Sequence, residues 1–171
     1  MAQSQEHYQM SEKDTWQTPF WIIEGIQDFV NINLDPCAGE HTDFGDVNYR
    51  LEDGQDGLEE EWFGTVFANP PFSYKKEWSA KVVEEIENTD LIMFLTTDGT
   101  NVQSWWHGKI APNADYVWFS DGRLYYIDPD TQEETEHNAP FGTAISMYGE
   151  VPDDLLDFFD DHGWVVESKS F

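Results

Sequence analysis

Nine consecutive residues, Thr65-Val66-Phe67-Ala68-Asn69-Pro70-Pro71-Phe72-Ser73, constrain this chain more than any other stretch. Thr65–Ala68 is a β-branched and aromatic run, which suits a buried strand. The two prolines that follow supply no N–H, so no sheet ladder continues through them. The residue before a proline is driven to extended backbone, which places Asn69 at the carboxyl end of the strand with its amide directed outward. Phe72 then follows a rigid turn, with a helix expected within a residue or two. Amide, proline carbonyls and aromatic ring therefore converge above one sheet edge. The plain alternative is a strand-to-helix turn with a stop signal, since Asn-Pro pairs mark turns.

With 171 residues, 39% of them hydrophobic and 16% aromatic, the chain has material for one sizeable core and does not read as a disordered acidic tail. No apolar run reaches the length of a membrane span, and Met1–Asp14 lacks the apolar segment of a signal peptide. A single cysteine, Cys37, rules out an internal disulfide framework. His7, His41, His107, His137 and His162 show no metal-ligand spacing. A soluble, cytoplasmic protein without membrane or metal is the expectation. The charge stands out: 8 basic against 35 acidic residues, a net −27. Such a surface repels nucleic acid in ordinary buffer. Two accounts survive, mimicry of DNA or work in molar salt, where the screening length falls to roughly 3 Å. Acids scattered over loops and helix faces of a well-patterned domain favour the second, adaptation to a halophilic cytoplasm.

In chain order, Met1–Asp14 reads as a flexible arm and residues 15–171 as a single domain. Thr18 and Pro19 read as N-cap and first position of a helix on which Phe20, Ile23, Ile26 and Val30 recur. Asn31–Asp35 closes as a strand on Asp35-Pro36-Cys37-Ala38-Gly39. An acid followed by small residues at a strand end suits a nucleoside-binding crevice, although Asp-Pro-x-x-Gly alone is a common loop. Asp46–Arg50 reads as a second strand. The acidic loop Leu51–Glu61 after it carries Asp56, either beside a bound nucleoside or simply solvated. A helix is expected from Tyr74 to Glu87. Lys75 and Lys76 open it, unfavourably for its dipole, which suggests an anionic ligand; Lys81 has ion-pair spacing to Glu77 and Glu85. Leu91–Leu95 is a fully buried strand, and Asn101–Ile110 a short helix. Tyr116–Phe119 and Leu124–Ile127 read as strands flanking the turn Ser120–Arg123, Asp128–Asn138 as a hairpin tip, and Thr143–Tyr148 as a strand. Pro152–Asp161 reads as a helix, with Trp164–Val166 closing the chain.

Early alternation of strands and helices followed by a strand-rich tail predicts an α/β, Rossmann-like fold: a mostly parallel twisted sheet, helices on both faces, and an antiparallel C-terminal hairpin. Asn69-Pro70-Pro71-Phe72 resembles the (Asp/Asn)-Pro-Pro-(Tyr/Phe) motif of amino-methyltransferases. From about Thr15 to Gly149 the chain resembles phage-type DNA N6-adenine methyltransferases (Dam-like). The resemblance rests on Trp16-x-Thr18-Pro19, Leu34–Ala38, Asp56-Gly57-Leu58 before Trp62, Asn69–Ser73 and Gly122-Arg123-Leu124. It implies a methyltransferase domain that uses S-adenosyl-L-methionine and acts on double-stranded DNA. It places cofactor contacts at Trp16, Thr18, Pro19, Asp35, Pro36, Cys37, Ala38 and Asp56, and the catalytic role at Asn69, Pro70, Pro71 and Phe72. Lys75, Lys76 and Arg123 are the expected DNA contacts. Phe72 stands where the family usually has Tyr; the ring face is kept and only a hydroxyl is lost.

The motif explains the chemistry. An exocyclic amine conjugated to a base is a poor nucleophile. An Asn69 side-chain oxygen and a Pro70 carbonyl that accept its two N–H bonds orient the nitrogen lone pair, and Phe72 stacks on a base drawn out of the duplex. Any planar amine with two N–H donors fits, so RNA adenine, DNA cytosine N4 and protein glutamine remain alternatives. A non-catalytic acidic DNA mimic is the alternative outside enzymes.

Overall fold

The structure is a computed structural model that describes residues 14–168. Its centre is the apolar strand Leu91–Thr97, expected as fully buried, with every residue but the last buried. We number the strands β1 (Leu34–Asp35), β2 (Val47–Asn48), β3 (Thr65–Ala68), β4 (Leu91–Thr97), β5 (Tyr116–Ser120), β6 (Thr143–Gly149) and β7 (Gly163–Glu167). They form one sheet in the order β2-β1-β3-β4-β6-β5-β7. The β2, β1, β3 and β4 strands pair in parallel, whereas β6 is antiparallel to both β4 and β5, and β7 is antiparallel to β5. The register from Leu91↔Gly149 to Thr97↔Thr143 is the longest in the sheet.

Side chains alternate across the sheet with the strand period and so build a core on each face. Phe67, Met93, Leu95, Trp118, Ile145 and Met147 point to one face. There they meet helix α1 (Phe20–Gln27) through Ile22, Ile23 and Ile26, and helix α3 (Asp153–Asp161) through Leu155 and Phe159. Val66, Ala68, Ile92, Phe94, Ala144 and Tyr148 point to the other face. They meet helix α2 (Lys75–Glu85) through Trp78 and Val82, and the π-helical segment Gln103–Ile110 through Trp105 and Trp106. This is the mixed α/β sheet with helices on both faces that the element order predicts.

Two local expectations fail, each for a long-range reason. Thr18 does not cap α1: the cap position is Pro19, with no side-chain bond, and the Thr18 hydroxyl is used elsewhere. Leu124–Ile127 is not a sheet strand. Both edges of β5 are already taken, by β6 and β7, so nothing remains for it to pair with. After Gly122, at φ +75°, the chain leaves the sheet, and Ile127 instead bridges to Gln17 and Glu134. The antiparallel end of the sheet is therefore β6-β5-β7, not a tight hairpin of neighbours. The expected ion-pair spacing of Lys81 is realised with Glu85, and the pair is buried on the inner face of α2. Burial alone would raise the Glu85 carboxyl, but bonds from Lys81, Asn88 and the Trp62 N–H outweigh it and hold the group below the usual range. Lys81 belongs to the core and is not a phosphate contact. No helix among the described residues is long and apolar enough to cross a membrane.

Candidate active site

The carboxyl ends of β1, β2 and β3 open together into one cavity of about 560 Å³. In an α/β sheet this is the position where ligands bind, because the strand ends present backbone and small residues to a crevice. Its walls are the extended segment Thr15–Thr18, the Asp35–Thr42 turn, the Gln55–Leu58 loop, and Asn69, Pro71 and Tyr74 after β3. Pro129, Asp130 and Gln132 close one side.

Asp35, the last residue of β1, is only 5% exposed. Burial pushes its carboxyl up to about 7, against the opposing pull of the Cys37 N–H, 3.0 Å from Oδ1, and of the Arg50 charge. The Cys37 thiol is pushed well above its usual range by burial and by Asp35, so it stays protonated. Arg50 holds the far part of the turn, donating to the carbonyls of Gly39 and Thr42 and pairing with Asp43. The Gln55–Leu58 loop touches the turn directly. A Cβ on Gly57 would stand 1.9 Å from the Pro36 carbonyl oxygen, so only glycine fits. The Asp56 carboxylate accepts the Leu58 N–H at 2.9 Å, and the residue lines the cavity.

Asn69 carries the most informative geometry. Its Nδ2 donates to the Trp16 carbonyl oxygen at 2.7 Å and to Thr18 Oγ1 at 3.0 Å. A carbonyl can only accept, so the amide orientation is determined by its partner. The amide oxygen Oδ1 is thereby turned the other way, where it is buried and has no hydrogen-bond partner among the described residues. A buried acceptor without a donor is destabilising by about 1–3 kcal/mol, so its presence in a folded protein points to a use.

The expected site residues separate into three groups. Trp16, Thr18, Asp35, Pro36, Cys37, Ala38, Asp56, Asn69 and Pro71 all lie on the cavity wall. Pro19, Pro70 and Phe72 are buried and do not line it. Phe72 packs edge-on against Tyr126 and Phe141, with ring centroids 6.1 and 5.1 Å apart. Lys76 and Arg123 are exposed and off the cavity. Lys75 is not a free surface cation. Its ammonium donates to Thr97 Oγ1 at 3.0 Å and lies over the rings of Phe72 and Trp105, and burial lowers its pKa.

Other residues of the site escape sequence reasoning. Gln17 is 6% exposed, and its Oε1 accepts from Gln132 across the cavity mouth at 2.9 Å. Its only signal is its place as the unspecified residue of Trp-x-Thr-Pro. Gln132 adopts a left-handed backbone, φ 59°, which nothing in the acidic stretch around it announces. Asp14, counted in the N-terminal arm, is bonded to Phe72 and Ser73; residues 1–13 of that arm lie outside the described residues. Among the described residues no group of three or more His, Cys, Asp or Glu side chains is placed to hold a metal ion.

Comparison with known proteins identifies the family. The chain is 28% identical over 155 residues to the DNA N-6-adenine-methyltransferase of Haemophilus phage HP1, a match covering 81% of this chain and 87% of that protein. A crystal structure of a Pyrococcus horikoshii protein whose name calls it an RNA methyltransferase overlays with a TM-score of 0.41 at 12% identity, over 89% of this chain and 100% of that one. The family model for DNA N-6-adenine-methyltransferase (Dam) matches residues 5–149, and so spans the cavity, the Asn-Pro-Pro-Phe turn and every strand except β7. The chain belongs to the DNA N-6-adenine-methyltransferase (Dam) family.

Proposed function

We propose that this protein transfers a methyl group from S-adenosyl-L-methionine to the exocyclic N6 amine of adenine in double-stranded DNA. The single observation that carries the reading is Asn69, a preoriented amide whose buried oxygen lacks a donor, set beside a cavity of cofactor size. The cavity lies within the range typical of small-molecule sites. Its lone buried carboxylate, Asp35, suits an ammonium-bearing ligand, and Ala38 and Gly39 allow close approach to the backbone. Trp16, the Asp35–Ala38 turn and Asp56 would hold the cofactor. Thr18 contributes through Asn69, while Pro19 only shapes the start of α1. S-adenosyl-L-methionine supplies a methyl group on a positively charged sulfur, an electrophile that needs no metal.

The remaining work falls to the chain. Asn69 Oδ1 accepts one N–H of the amine, and the Pro70 carbonyl, off the cavity wall in this structure, would accept the other once the turn shifts; together they direct the nitrogen lone pair at the methyl. The Asn69 acceptor is fixed before the reaction, so positive charge developing on nitrogen meets a dipole already in place. Phe72 offers a ring to a base drawn out of the duplex once the Tyr126 and Phe141 edges yield. A DNA mimic has no use for an unsatisfied buried acceptor at a strand end.

Incubation with methyl-labelled S-adenosyl-L-methionine and duplex DNA in molar KCl tests the reading. Label in DNA is the expected result; label in protein or RNA alone would reject the substrate. With 8 basic and 35 acidic residues, activity should rise with KCl over a range in which ordinary DNA-binding proteins lose affinity. Optimal folding and methylation in dilute buffer would contradict the high-salt account.

A further inference from the structure

The two prolines between Asn69 and Phe72 have no N–H with which to anchor themselves. Whatever sets the distance from the Asn69 amide to the Phe72 ring must therefore come from a neighbouring segment. That segment is Asp14–Thr18, which runs alongside Asn69–Ser73 in the opposite direction. At one end Trp16 and Thr18 accept from Asn69 Nδ2. At the other end the Asp14 main-chain carbonyl accepts the Phe72 N–H at 3.0 Å. The Asp14 side chain accepts twice more, from the Ser73 N–H at 2.6 Å and from the Ser73 hydroxyl. The short 3₁₀ turn Phe72–Tyr74 has no side-chain cap at its own N-cap position, Pro71, so Asp14 serves from a distant part of the chain.

We propose that Asp14 is a positioning residue for methyl transfer: its carboxylate ties down the turn that carries Phe72, so that the ring and the Asn69 amide oxygen keep one separation. The proposal rests on reading Asn69–Phe72 as the motif that holds the amine. Asp14 does not line the cavity, so the cofactor is outside its reach. Loss of its carboxylate frees Ser73 and leaves the aromatic end held only by the Asp14 main-chain carbonyl, while the Asn69 end stays tied to Trp16 and Thr18. A misplacement of the reacting group by about 1 Å can lower a rate by about 100-fold, so the effect belongs on turnover.

Asp14→Ala, Asp14→Asn and Ser73→Ala are compared with the wild type for turnover on duplex DNA and for calorimetric S-adenosyl-L-methionine binding. Asp14→Ala should lose about 10- to 100-fold in kcat with little change in cofactor Kd. Asp14→Asn, which keeps one acceptor oxygen, should recover most of the rate, and Ser73→Ala should lie between. Unchanged kcat in Asp14→Ala, or a parallel loss of cofactor affinity, overturns the proposal. If Asp14→Ala does not fold, wild-type turnover in both Asp14→Asn and Ser73→Ala overturns it equally. Fluorine NMR of para-fluorophenylalanine placed at position 72 reads the ring without DNA. A broadened or second resonance in Asp14→Ala supports the proposal, and an unchanged one sinks it. This readout decides even where the wild type methylates no DNA, a result that would count against the proposed function alone.

Discussion

Asn69→Ala is expected to lower methyl transfer by at least about 10²- to 10³-fold, the scale seen when one preorganised polar group aimed at developing charge is removed. Cofactor affinity should change little, because the Asp35–Ala38 turn and Asp56 stand on other strands and loops. The effect on stability combines opposing terms. Truncation removes the orphaned Oδ1, which favours the fold, but it also deprives the Trp16 carbonyl and Thr18 hydroxyl of their donor. Asn69→Asp discriminates more sharply. It keeps an oxygen for the amine but loses the Nδ2 donor, so a carboxylate would face the Trp16 carbonyl. Turnover against cofactor binding, measured side by side, checks both variants. A large loss of cofactor affinity in Asn69→Ala would mean that Asn69 serves the cofactor and not the amine.

The second large effect concerns Asp35. Its carboxyl titrates at about 7 in the fold against an ordinary 3.8, because burial disfavours the charged form. Below pH 4 the group is protonated in both folded and unfolded chains and has no effect on stability. Between pH 4 and 7 the unfolded chain gives up the proton while the native one keeps it, so stability falls as pH rises. Above pH 7 both are ionised and the full penalty persists. At about 1.4 kcal/mol per pH unit, the interval amounts to roughly 4 kcal/mol. Asp35→Asn should therefore be more stable than the wild type, by a margin that grows from pH 4 to 7 and then levels off. The same variant should bind S-adenosyl-L-methionine far more weakly. Denaturant unfolding at several pH values, paired with calorimetry, reads both effects. A variant destabilised at pH 8 with intact cofactor affinity would contradict the role given to Asp35.

What was legible in the amino-acid order was whatever a single residue type enforces locally. Pro70 and Pro71 end β3 because they cannot donate, and Leu91–Leu95 is central because it is apolar on both faces. Asp35 lies on the cavity wall, but Asp-Pro-x-x-Gly alone is a common loop, and only its place ahead of Asn69 set it apart in the sequence. What was not legible depends on partners far along the chain. Thr18 has every local feature of a helix cap, yet its hydroxyl is claimed by Asn69, 51 residues away. Leu124–Ile127 has strand composition, but β7 occupies the edge it would need. For Lys81 the helical spacing shows the partner, Glu85, but not that the pair is buried. Asp14 sits in a polar stretch that nothing local distinguishes from solvent-facing chain.

The most direct test of the central claim is the identity of the product nucleoside. Duplex DNA methylated by the wild type in molar KCl, digested to nucleosides and resolved by mass spectrometry, should yield N6-methyladenosine in its deoxy form, and DNA treated with Asn69→Ala should yield none. Recovery of N4-methylcytosine instead would keep the amide mechanism and overturn the base. A wild type that leaves DNA unmethylated while it binds S-adenosyl-L-methionine would contradict the account.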